Sequence, residues 1–62
     1  MYKPYLVAMS HLSDAQELMS MGQSEQATIR INFAKWIISR YKTNMVSEFN
    51  ADLEWTAFNN RK

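Results

Sequence analysis

Residues 24 to 45 read SEQATIRINFAKWIISRYKTNM, and the spread of apolar side chains along this run decides the fold. At ~100° per residue, Ala27, Ile31, Ala34, Ile38, Tyr41 and Met45 form one stripe of a helix. Ile29, Phe33 and Trp36 form a second, with Ile37 between them. Thr28, Asn32, Lys35, Ser39, Lys42 and Thr43 make the narrow strip left for water, so this helix needs cover on two sides. Ser24 can cap it; Glu25 and Gln26 in its first turn and Arg40 and Lys42 in its last all suit the helix dipole.

Upstream, Ser13 with Gln16 three residues on makes a capping box, and Asp14 sets a carboxylate at the positive helix end. Ala15, Leu18 and Met19 then share a face, and Gly22 supplies a left-handed stop, which predicts a first helix over about 13 to 21. Residues 1 to 9 are predicted as an extended apolar arm, because Pro4 disfavours helix at Lys3 and Tyr5 to Met9 is too short to be a helix alone. A connection as short as Gly22-Gln23 forces a tight hairpin or a helix-turn-helix corner.

Downstream, SEFNADLEWTAFNN (47 to 60) fits two patterns. Phe49, Ala51, Leu53, Trp55 and Ala57 alternate with polar residues as in a strand, yet Phe49/Leu53 and Ala51/Trp55/Phe58 have helical spacing. Ala, Glu, Asp and Asn are depleted in strands, which favours helix. The last four residues should fray. No linker, repeat or low-complexity tract divides residues 1 to 62. The expectation is a single all-α domain: a small helical hairpin with a third C-terminal helix and an extended N-terminal arm, dimeric.

Dimerisation enters through size. A chain of 62 residues has no cysteine for a disulfide and, with one histidine, no zinc cage of the usual kind, so neither common staple of small domains is present. Its richness in large apolar residues argues against disorder and points to association as the stabiliser. The stripe that the first helix cannot cover, with its neighbours, is the expected interface: Ile29, Phe33, Trp36, Ile37 and Arg40. The run Tyr5 to Met9 is too short for the apolar part of a signal peptide, and nothing approaches a membrane span, so a soluble cytoplasmic protein is expected.

Net charge is +1, with Arg30, Lys35, Arg40 and Lys42 grouped in the central run and acids on both sides. Acidic flanks neutralising a basic middle is the simple reading; a strongly basic balance, as in a nucleic-acid binder, is absent. Arg30, Lys35 and Lys42 are the alternative nucleic-acid contacts, though helical projection scatters them. Arg30 and Arg40 suit pairing with carboxylates of a neighbouring helix or subunit. Leu18, Gly22, Ser24 and Ile31 fall where a helix-turn-helix places its core, turn and cap residues. Leu18, Gln23 and Thr28 depart from that pattern, and Ile29 and Phe33 are too apolar for a recognition helix.

No constellation carries recognisable catalysis. His11 reads as a lone surface histidine, Asp14 and Glu17 as an exposed pair, and Asp52 and Glu54 as divergent acids; general acid/base work would need one of these desolvated in a pocket. A chain this small has little room for a ligand cavity of ~300 Å³. No enzyme activity, cofactor or metal is expected. Met1, Met9, Met19, Met21 and Met45 read as core filler before binding groove.

Taken together, YKPYLVAM, SDAQELMSMG and SEQATIRINFAKWIISRY resemble the small accessory proteins encoded between the exo and xis genes of lambdoid bacteriophages. The resemblance covers the chain and has no diagnostic motif. It implies a helical early protein of the bacterial host cytoplasm, influencing lysogenic against lytic development by contact with host or phage regulators. It transfers no catalytic residue.

Overall fold

A computed structural model describes residues 2 to 42 and 49 to 61. Among these are three α-helices and no strand: α1 (Lys3–Ser20), α2 (Ser24–Tyr41) and α3 (Ala51–Asn59). The third helix expected within 47 to 60 is therefore present, while residues 47 and 48, like the expected last turn of helix two up to Met45, lie outside the described residues.

The N-terminal arm is not extended. Helix α1 begins ten residues before Ser13 and absorbs the whole segment, with Pro4 in its first turn. A proline there loses nothing, because first-turn N–H groups have no partner within the helix and the ring already fixes a helical φ. Ser13 and Asp14 accordingly sit in the helix interior and cap nothing. The polar residues Ser10, His11 and Ser13 hide the continuity, yet Pro4, Ala8, His11, Ala15 and Leu18 keep one face at spacings of four and three, and the first, second and fourth are fully buried.

Gly22 does end α1. Its φ of +79° opens a double bond pattern in which Gly22 N–H donates to Met19 C=O at 3.0 Å and Gln23 N–H to Leu18 C=O at 2.9 Å. This turns the chain back immediately. Ser24 is the first helical residue of α2 and no side chain caps its start; the Ser24 carbonyl accepts from Thr28 Oγ1. Helix α3 has the strongest cap, since Asn50 Oδ1 accepts from the backbone N–H of both Asp52 and Leu53, with Asp52 and Glu54 in the first turn.

Helices α1 and α2 pack antiparallel along an alanine seam: Ala8 and Ala15 from one, Ala27 and Ala34 from the other, all essentially without solvent contact. Side chains this small let helix axes approach toward the close end of the 8–10 Å range. Helix α3 then lies on one broad face of the hairpin. There Phe58 joins Phe33, Ala34, Ile37 and Tyr41 of α2 and Ala8 of α1 as the core, with Ile29, Trp36 and Trp55 packed around it. Phe33 is the hub, its ring 4.7 Å from His11, 4.9 Å from Trp55 and 5.3 Å from Phe58. The molecule is flat, 37 × 29 × 17 Å. Its shortest dimension fits two helix layers, α3 over the hairpin, and no described residue lies over the other broad face.

Candidate interaction surface

The expected dimer stripe is largely inside the protomer. Phe33 and Ile37 are buried and Ile29 and Trp36 half-buried, because Trp55 and Phe58 of α3 pack against this stripe within the chain. Of the expected interface only Arg40 is exposed, and its Nε lies 3.0 Å from Glu54 Oε1 in the cross-helix ion pair that its position suggested.

Among the described residues Glu54 is the one buried charge, 8% exposed. Trp36 Nε1 donates to Oε1 at 3.1 Å, the Tyr41 hydroxyl donates to Oε2, and Arg40 completes the set. Burial alone would raise the carboxyl pKa; the Tyr41 and Trp36 hydrogen bonds and the Arg40 charge outweigh it and hold it below its ordinary value. Burial and the bond to Glu54 raise the Tyr41 pKa. With both oxygens engaged, Glu54 is a fastener between α2 and α3, unsuited to taking a proton from a substrate. The sequence signal was its place between Ala51 and Phe58, on the apolar face that the strand-like alternation obscured.

His11 is not a lone surface residue. It is half-buried, edge-on to Phe33 and parallel to Trp55 at 6.0 Å. Arg30 donates to its Nδ1 at 3.1 Å and lays its guanidinium 5.4 Å from the Trp55 ring centre. Burial, then the Arg30 charge, lower the His11 pKa against a weaker opposite pull from Asp14. Beside this cluster, Asp14, Glu17, Leu18, Met21 and Arg30 line an open depression of about 210 Å³, smaller than usual ligand sites. Among the described residues no three potential metal ligands converge, and no helix is long and apolar enough to cross a membrane.

Among the described residues, no element covers the face opposite α3. On α2, Ile31 and Ile38 stand roughly 160° round the helix from Phe33 and Trp36, in a ladder that runs Thr28, Ile31, Lys35, Ile38, Lys42. On α1, the residues beyond the alanine seam form a second ladder: Tyr5, Met9, Leu12, Gln16, Met19. Leu12, Met19 and Ile38 are 41%, 55% and 39% exposed, with Met9 at 51% on the shoulder. Met9, Met19 and Met21 thus do not fill the core as expected; all three are exposed, Met21 near the hairpin turn. Methionine on a surface adapts to a partner's shape. Lys35 and Lys42 edge this face, whereas Arg30 belongs to the α3 side, so the three expected nucleic-acid contacts do not form one patch.

Compared with known proteins, no family model matches the chain, and no curated protein or solved structure matches it.

Proposed function

We propose that this chain is a small helical interaction module, not an enzyme, that works by contact with another protein through the face of the α1–α2 hairpin opposite α3. The observation that carries this reading is the open face itself: Leu12, Met19 and Ile38, from two helices, stay exposed on it after the core of the described residues is complete. Such surfaces on small proteins commonly mark binding sites. The resemblance to the exo–xis accessory proteins of lambdoid phages fits the same mode, a regulator in the bacterial host cytoplasm bearing on the choice between lysogenic and lytic development. The need for a homodimer rested on Phe33 and Trp36 lacking cover. That α3 packs over them within the chain supports assigning association to the open face. Nucleic-acid binding is the weaker reading, because Lys35 and Lys42 lie apart from Arg30 and are interleaved with isoleucines where a phosphate backbone would offer no apolar partner.

Photo-crosslinking in bacterial cells tests the proposal. A photoreactive residue at Ile38, on the open face, should capture protein adducts that the same residue at Leu53, an exposed apolar position on α3, does not. Equal capture at both positions, or none at Ile38, removes the open face as the functional surface.

A further inference from the structure

Resting on that reading of the open face, we infer that its occupant is an amphipathic helix whose apolar stripe is bordered by carboxylates. The shape supports a helix. Two antiparallel ladders flank a seam floored by Ala8, Ala15, Ala27 and Ala34, a shallow valley between ridges in which a third rod can lie. The ladder from Tyr5 to Met19 extends about 21 Å, close to four helical turns.

The charge chooses among helices. Lys35 and Lys42 stand on this face with Ile31 and Ile38, and no acid of the described residues shares it: Asp14 and Glu17 lie on the other side of α1, Glu25 lines up along α2 with Asn32 and Trp36, and Asp52 and Glu54 belong to α3, Glu54 committed to Arg40. A second copy would bring the same two lysines and no carboxylate, so self-pairing is electrostatically mismatched while an acid-bordered helix is matched. An anionic membrane would also meet lysines beside apolar residues. Interfacial helices, however, anchor with Trp and Phe beside Leu, and here Leu12 stands on the face without them, Phe33, Trp36, Trp55 and Phe58 all being spent on the α3 side.

The test uses the whole chain, labelled at its methyl groups, and two synthetic amphipathic peptides of about four turns with the same Leu/Ile stripe. One has Glu at the flanking positions, the other Lys. The Glu peptide should shift the methyl signals of Leu12, Met19, Ile31 and Ile38 while leaving Leu53 still, and should bind at least roughly ten-fold tighter than the Lys peptide at low salt. The double variant Lys35→Glu, Lys42→Glu, which alters only exposed side chains, should reverse that order with its circular dichroism unchanged. Equal binding of both peptides overturns the acidic border and leaves the protein-contact reading intact. Self-association of the free chain through these same methyls likewise overturns it in favour of a second copy. Binding of phosphatidylglycerol vesicles with neither peptide bound, or silence of the face toward every probe, overturns both.

Discussion

The Arg30 guanidinium donates to Nδ1 of His11 across the α1–α2 seam, and this contact favours the neutral imidazole. Arginine has no lone pair to offer, so Nδ1 must accept, which only an imidazole unprotonated at that nitrogen can do. Protonation would cost the hydrogen bond and set two cations side by side against Trp55. His11 should therefore titrate below its ordinary value of 6.5. Arg30→Met should move the midpoint part of the way back, only part because burial is the larger cause. Nuclear magnetic resonance of the imidazole protons across the acid range measures both; an unchanged midpoint in the variant would assign the whole shift to burial.

Acid should weaken the fold in two steps. A folded-state pKa below the unfolded one means that the group contributes stability above the unfolded value and loses it as pH falls through the folded one. His11 opens its loss below 6.5 and Glu54 below 4.5. Tyr41 has the opposite sign, its raised pKa giving a contribution that disappears as pH climbs through the folded value. Urea midpoints taken across pH should fall at both ends, and in Glu54→Gln the lower acid step should disappear.

Replacing Glu54 should cost far more than replacing Arg40. Glu54→Ala leaves the buried Tyr41 hydroxyl and the half-buried Trp36 N–H without their acceptor, a loss of about 2–4 kcal/mol. Arg40 has a half-exposed side chain, so water screens the ion pair and Arg40→Ala should cost no more than about 1 kcal/mol. For a domain of this size, with a total stability of roughly 3–9 kcal/mol, the first change should approach unfolding and the second should not. Thermal melts of the two variants decide it; equal losses would mean that the charge pair, and not the buried hydrogen bonds, holds α3.

Why some of this was legible in the sequence and some was not follows from the same residues. The excess apolar surface of α2 was plain from Ile29, Phe33 and Trp36, and so was the need for cover on two sides. What supplies the second cover depends on where α3 packs, which the periodicity of α2 does not contain. His11 and Glu54 were misread for a common reason: each is a polar residue standing in an apolar face, and a binary pattern assigns it to water. Only the pairing of His11 with Arg30, and of Glu54 with Trp36 and Tyr41, makes burial affordable. Pro4 disfavours helix at the residue before it, but inside a first turn it is an ordinary helix start, and Tyr5 to Met9 is too short for a helix only if the helix stops before Ser10.

Gly22→Ala isolates a backbone effect. A Cβ there would meet nothing within 4 Å, so no clash contributes, yet the φ of +79° remains unfavourable for any residue with a Cβ. The loss should be about 1–2 kcal/mol, with the hairpin otherwise unchanged. A variant as stable as the parent would show that the turn can relax to negative φ without breaking the Gln23 to Leu18 bond, which amide exchange at Gln23 would report directly.

The sharpest contrast lies between the two faces of α2. Phe33→Ala empties a site ringed by His11, Trp55 and Phe58 and should cost about 3–5 kcal/mol, enough to unfold much of the population. Ile38→Glu, on the open face, removes an apolar side chain already 39% exposed and should change stability by only about 0.5 kcal/mol or less. If a second copy were needed to hold the fold through the open face, the order would change: Ile38→Glu would then lower the melting temperature, and would do so more at low protein concentration than at high. Melting curves of the parent and both variants over a hundred-fold range of concentration separate the cases. Concentration-independent curves, with Phe33→Ala unfolded and Ile38→Glu intact, are the expected result, because the core that α3 completes is built from residues of one chain.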